Sequence, residues 1–244
     1  MLKPTAKPVL KLPVKLQLCQ QGALRVFSHW RPLLWRLLPQ SLLWRLYYRK
    51  ARLFIPRGTL LKAMGLFPQP GRAVDLGCGQ GLDTLALLAA GWHVTAIDNQ
   101  PQGLAKIREF VASAGVSKRL LTLVCAAMEE IAAEEVELPP CQLFNSSFTL
   151  PFCQPEAFPA LWRRIVASLD EGGVFAGQFF GPADSFCQEG LALSHTEADV
   201  KALLVDFDIV SWKEVNEPGQ DAMSLPKHWH VFHVVARRRA SLNK

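Results

Sequence analysis

The stretch AVDLGCGQGLDTLALLAAGWHVTAID, Ala73 to Asp98, decides the fold of this chain. Its opening is apolar and β-rich, which predicts a buried strand over Arg72–Leu76. Gly77, Gly79 and Gly81 follow, and glycine lets a backbone turn sharply and approach a ligand with no Cβ in the way. The leucine and alanine spacing after them predicts a helix over Gly81–Ala90, whose first turn offers free N–H groups. A second strand is predicted over Trp92–Asp98. Asp75 and Asp98 therefore fall at the carboxyl ends of neighbouring strands, where sheets of this kind hold ligands.

Outward from that unit, helices and strands keep alternating. Pro101–Ala114 reads as a helix with proline in its first turn, where a missing N–H costs nothing. Strands are predicted over Leu120–Cys125, Gln142–Phe148 and Val174–Phe180. Pro155–Leu169 is predicted helical, stopped before Gly172–Gly173, and Glu197–Val205 is a further helix. Ile209–Val215 and His230–Ala236 have no helix between them and are expected to pair antiparallel. The pattern predicts an α/β fold: a doubly wound, mostly parallel seven-stranded sheet with an antiparallel last strand. Upstream, a helix is predicted over Arg57–Gly65, ending at the turn Pro68–Pro70–Gly71.

The dinucleotide fingerprint G-x-G-x-x-G requires glycine or alanine at position 82, and Leu82 stands there. Asp75 also argues against a nicotinamide-dependent oxidoreductase, because a carboxylate there repels a pyrophosphate. It suits a ligand carrying a sulfonium and an ammonium group. Asp98 is well placed to accept both hydroxyls of a ribose. An acid two residues before G-x-G-x-G closely resembles motif I of the class I S-adenosylmethionine-dependent methyltransferases, a Rossmann-like fold. The segments GWHVTAIDNQPQGL, NSSFTLPFC, GGVFAGQFFG and PKHWHVFHVVARR extend the resemblance to bacterial small-molecule methyltransferases of the tellurite-resistance type, over roughly Leu42 to Arg239.

That resemblance implies S-adenosyl-L-methionine as cofactor. Asp75, Gly77, Cys78, Gly79 and Gly81 would line its methionine end, joined by Asn145. Asp98 would hold the ribose, with Asn99 and Gln100 beside the adenine. In CAAMEE, Ala126–Ala127 replace an Asp common in the family, so adenine recognition is expected from backbone groups around Ala127 and from Met128, with Glu129 as a further candidate. The small-molecule acceptor is expected above the fourth strand, at NSSFTL, where Asn145 and Ser146 offer hydrogen bonds and Phe148 an apolar wall. His228, Trp229 and His230 begin the last strand at the same edge of the sheet. Asn145, His228 and His230 are the catalytic candidates, since a histidine takes a proton near neutral pH; Tyr47, Ser146, Phe148 and Trp229 are the substrate-binding ones. A soft nucleophile would need no base, and His233, on the opposite face, is expected to be structural. A cofactor-binding or sensing protein without turnover is the alternative to an enzyme.

Charge divides the chain. Met1 to Val74 holds fourteen Lys or Arg and no acid, whereas Asp75 onward holds thirteen basic and twenty-one acidic residues. The expected organisation is a basic arm and amphipathic segment over 1–41, a methyltransferase domain with N-terminal cap helices over 42–239, and a tail over 240–244. Three readings fit Met1 to Arg57: a surface segment on an anionic membrane, an organelle transit peptide, or a capping helix with a basic outer face. Tyr47 belongs to the capping part. An acidic domain repels nucleic-acid phosphate, so no specific nucleic-acid partner is expected. The six cysteines, Cys19, Cys78, Cys125, Cys141, Cys153 and Cys187, form no C-x-x-C pair. Neither a metal site nor a disulfide framework is expected, and the usage fits a reducing compartment. With no secretory signal and no spanning apolar run legible, the expected location is cytoplasmic, with peripheral contact at the inner membrane as the variant.

Overall fold

The computed structural model describes residues 56–221 and 224–240. The predicted Tyr47 contact and the arm over 1–41 lie outside these residues. The first helix among the described residues, α1 (Gly58–Met64), precedes a seven-stranded sheet. In chain order the elements are β1 (Arg72–Leu76), α2 (Leu82–Ala89), β2 (His93–Asp98), α3 (Pro101–Ser113), β3 (Leu121–Cys125), α4 (Met128–Ala132) and β4 (Cys141–Ser146). They continue as α5 (Phe158–Ser168), β5 (Leu169–Phe180), α6 (Ser185–Gln188), α7 (Glu197–Leu203), β6 (Phe207–Gln220) and β7 (Pro226–Arg238).

The strand order is β3-β2-β1-β4-β5-β7-β6. All pairings from β3 to β5 are parallel, and β7 lies antiparallel between β5 and β6. This is the doubly wound architecture with an antiparallel last strand that the alternation of patterns predicted. Its order reverses at β1, between β2 and β4, and such a reversal opens a crevice at the strand ends.

Two apolar layers cover the sheet. Phe144, Phe175, Phe179 and Phe232 pack on one side with Leu161, Trp162 and Ile165 of α5 and Val200 of α7. Ala73, Val94, Leu143 and Val235 pack on the other with Leu60 of α1, Leu87 of α2 and Ile107 of α3. The central strands β1 and β4 are buried on both faces, and the polar Asp75, Asn145 and Ser146 are buried at their carboxyl ends.

Three differences from the sequence reading have local causes. Gly172–Gly173 does not end a helix: α5 stops at Ser168, and β5 starts at Leu169 and bends at Gly172, where φ is 74°. β4 ends at Ser146 and not at Phe148, because Phe148 itself turns to φ 56°. The helix α4 is too short for a sequence period to show; Glu130 accepts from the Ala127 N–H at 2.6 Å and so closes its first turn.

Candidate active site

The loop from β1 into α2 folds as its glycines require. Gly77, Gly79 and Gly81 all have positive φ. A Cβ on Gly77 would lie 2.0 Å from the Thr149 hydroxyl, so glycine there is demanded by space as well as by backbone. Asp98 ties the loop down: its carboxylate accepts from the Gly79 N–H and the Gln100 N–H, both at 2.8 Å.

A cavity of about 240 Å³ opens over this loop. Asp75, Gly77, Cys78, Gly79, Asp98, Asn99, Ala127, Met128 and Phe148, all anticipated from the sequence, line it. Glu129 lines it too, and its carboxylate accepts from the Gln154 N–H at 3.0 Å, joining α4 to the segment that follows Phe152.

Other anticipated residues stand behind the lining. Gly81 caps α2, and a Cβ there would meet Ile107 at 2.4 Å; its role is packing. Gln100 turns its amide onto Asn99 at 3.0 Å. Ser146 is fully buried, and its hydroxyl finds no hydrogen-bond partner among the described residues. Asn145, directly opposite Asp75 in the β1–β4 register, is buried and donates its amide to Asp75 at 2.8 Å and to Asp83 at 3.1 Å.

The electrostatics are dominated by acids. Thr84 donates to Asp75 at 2.5 Å. Asp83, which the sequence reading passed over, accepts from the Ser147 hydroxyl at 2.6 Å and from the Arg57 N–H at 2.9 Å. Burial pushes the Asp75 carboxyl up from 3.8 to about 7, and the nearby Asp83 charge adds to this. Burial also holds the Cys78 thiol well above its ordinary value, so it is protonated and a poor nucleophile. Asp75, Asp83 and Asp98 thus converge on one cavity, and a cation entering it relieves their mutual repulsion.

The histidine geometry departs from the reading that set His228 and His230 beside the acceptor. Strand alternation puts Trp229 and His233 on the face toward Phe148, with ring centroids 5.9 and 5.8 Å away. His228 and His230 face the other way: their Nε2 atoms pair with Asn216 at 2.7 Å and Glu214 at 2.9 Å on β6. His230 Nδ1 also accepts from the Ala183 N–H at 3.1 Å. His233, expected to be structural, is the one against the cavity wall, and burial, with Lys213 and Arg57 nearby, lowers its pKa. Gln178, opposite His233 in register, accepts from the Phe148 N–H and donates to Thr59, both at 2.9 Å. No group of acids, histidines and cysteines fit to hold a metal ion occurs among the described residues.

A family model described as a methyltransferase domain matches residues 73–173. The carboxy-S-adenosyl-L-methionine synthase of Trichlorobacter lovleyi is 32% identical over 113 residues, 44% of this chain and 44% of that protein. The chain thus matches somewhat less than half the length of that curated relative. Among solved structures, TehB from Haemophilus influenzae superposes with a TM-score of 0.63 at 17% identity, covering 75% of this chain and 62% of that one. The 1,6-didemethyltoxoflavin-N1-methyltransferase of Burkholderia thailandensis superposes with a TM-score of 0.56 at 17% identity, covering 96% and 94%. Over residues 73–173 the domain match, the glycine loop and the sheet order agree on a class I S-adenosylmethionine-dependent methyltransferase domain. S-adenosylmethionine is the cofactor of that class.

Proposed function

We propose that the protein transfers a methyl group from S-adenosylmethionine to a small-molecule acceptor. The observation that carries this reading is the meeting of Asp75, Asp83 and Asp98 around a glycine-lined turn, a charge arrangement suited to a cationic donor and hostile to a pyrophosphate. When bound, the cofactor supplies an electrophilic methyl on a sulfonium. Asp75 and the Gly77–Gly79 turn would hold its amino-acid end, Asp98 and Asn99 its ribose, and Ala127 with Met128 its adenine. Asn145 would fix the Asp75 carboxylate and take no proton. Phe148 and Phe152 would close the acceptor side against water, and positioning with water exclusion supplies much of the acceleration such a displacement needs.

Small acceptors are supported by the compact cavity; among the relatives, the Burkholderia thailandensis enzyme is a small-molecule methyltransferase. The catalytic unit is proposed to span 42–239, with 1–41 as a basic arm that contacts anionic membrane from the cytoplasmic side and 240–244 as a tail. No helix among the described residues is long and apolar enough to cross a membrane. Equal binding to anionic liposomes by the full chain and by a chain starting at Ser41 would remove the membrane role of the arm. Titration with S-adenosylmethionine, S-adenosylhomocysteine and NAD tests the donor; binding of NAD alone would overturn it. A methyl-transfer screen over thiols, selenite, tellurite and small carboxylates tests the acceptor; cofactor binding with no turnover across so broad a set favours a sensing role.

A further inference from the structure

We propose that Arg57 is a carboxylate-recognition residue at the junction of cofactor and acceptor, an inference that rests on the functional reading above. Among the described residues lining the cavity Arg57 is the one Lys or Arg, and the other charged ones are Asp75, Asp83, Asp98 and Glu129. Its guanidinium carbon sits 4.7 Å from the centroid of the Phe148 ring. An aromatic ring offers no lone pair, so the five guanidinium N–H donors are not spent on that contact.

The cavity's carboxylates are engaged by other donors: Asp75 by Thr84 and Asn145, Asp83 by Asn145 and Ser147, Asp98 by the Gly79 and Gln100 N–H groups, and Glu129 by the Gln154 N–H. No acidic residue precedes Asp75, so the upstream arm has no carboxylate side chain to lend. Among the described residues the guanidinium enters no ion pair. Its backbone is fixed all the same, because the Arg57 N–H donates to Asp83 at 2.9 Å and Gln178 holds Thr59 at 2.9 Å. A guanidinium on a fixed backbone, with no ion pair among the described residues, matches a carboxylate, which it binds through two parallel hydrogen bonds. Two sources carry that group: the amino-acid end of the cofactor, and an acid among the acceptors.

The test compares wild type with Arg57→Gln, which keeps the backbone N–H. Calorimetry measures S-adenosylhomocysteine against its carboxamide, and, on protein saturated with S-adenosylhomocysteine, 4-hydroxybenzoate against 4-hydroxybenzamide. Binding of 5′-methylthioadenosine, which lacks the amino-acid end, reports that each protein is folded. Wild type is expected to prefer the acid in at least one pair by about tenfold or more, and Arg57→Gln to lose that preference. Loss in the nucleoside pair assigns the cofactor carboxylate; loss in the benzoate pair assigns the acceptor. No acid preference in wild type, or a preference that survives Arg57→Gln, overturns the proposal. Wild type that binds no nucleoside is a different result: it refutes the functional reading and removes the inference with it.

Discussion

The Asn145 side-chain amide lies 2.8 Å from the Asp75 carboxylate, and both residues stand at the same level of adjacent strands β4 and β1. The same amide reaches Asp83 at 3.1 Å, so one neutral donor group separates two buried acids. Replacing it with leucine removes both hydrogen bonds and leaves the carboxylates facing each other. Asn145→Leu is expected to cost about 1–3 kcal/mol of stability and to weaken cofactor affinity about tenfold or more. Asn145→Asp should be worse above neutral pH, where a third charge joins the pair. Thermal unfolding and calorimetry of S-adenosylhomocysteine check both; wild-type affinity in Asn145→Leu would remove Asn145 from the site.

Asp75 makes cofactor binding pH-dependent. Its carboxyl is held near 7 in the folded protein against 3.8 when unperturbed. The folded state therefore retains a proton through that window that the unfolded chain releases. Stability from this group is full below about 3.8 and is lost as pH rises toward 7. A cationic ligand reverses the balance, because it favours the ionised carboxylate. Affinity for S-adenosylmethionine should rise between pH 6 and pH 8, roughly tenfold at most, with proton release that calorimetry detects in buffers of different ionisation enthalpy. Asp75→Asn should flatten the dependence and weaken binding at the upper end. A flat profile in wild type would show that the group is already ionised.

The three histidines of β7 separate by face. His233 touches Phe148, whereas His228 and His230 are occupied with Asn216 and Glu214. His233 stays neutral at pH 7, since burial, Lys213 and Arg57 all lower its pKa. His233→Ala is expected to reduce kcat/KM for the acceptor about tenfold with cofactor affinity unchanged. His228→Ala should stay within about twofold of wild type, read by a methyl-transfer assay. A larger loss in His228→Ala than in His233→Ala would reverse this assignment.

Much of the cofactor side was legible because its signals are local. The Asp75–Gly77–Gly79–Gly81 spacing, the helix of leucines after it and the strand end at Asp98 lie within one short run, and each needs only its neighbours to be read. The proposed acceptor side is built from distance. Arg57 and Phe148 are far apart in sequence and meet because α1 packs against β5, with Gln178 bridging to Thr59 and to the Phe148 backbone. The face of β7 that looks inward depends on its register with Gln178, and residue spacing alone gives the alternation without saying which half is inside. Phe148 carried no sign of its φ of 56°, since bulky residues rarely adopt it.

Gly77 makes the clearest claim about the turn itself. Its φ of 71° is unfavourable for any side chain, and a Cβ there falls 2.0 Å from Thr149 Oγ1, 2.2 Å from Cγ2 and 2.6 Å from Cβ. Two costs are therefore stacked in Gly77→Ala: about 1–2 kcal/mol for the backbone and a steric overlap that the neighbouring segment must move to relieve. That segment runs from Ser147 to Phe152, lines the cavity and forms the proposed acceptor wall, so the variant should lose cofactor binding and acceptor turnover together. Thr149→Ala leaves its Cβ in place and should recover little. Thr149→Gly removes all three atoms and should restore part of the binding in the double variant, with only the backbone strain remaining. No recovery by either second substitution would mean that the backbone, and not the contact with Thr149, sets the requirement for glycine.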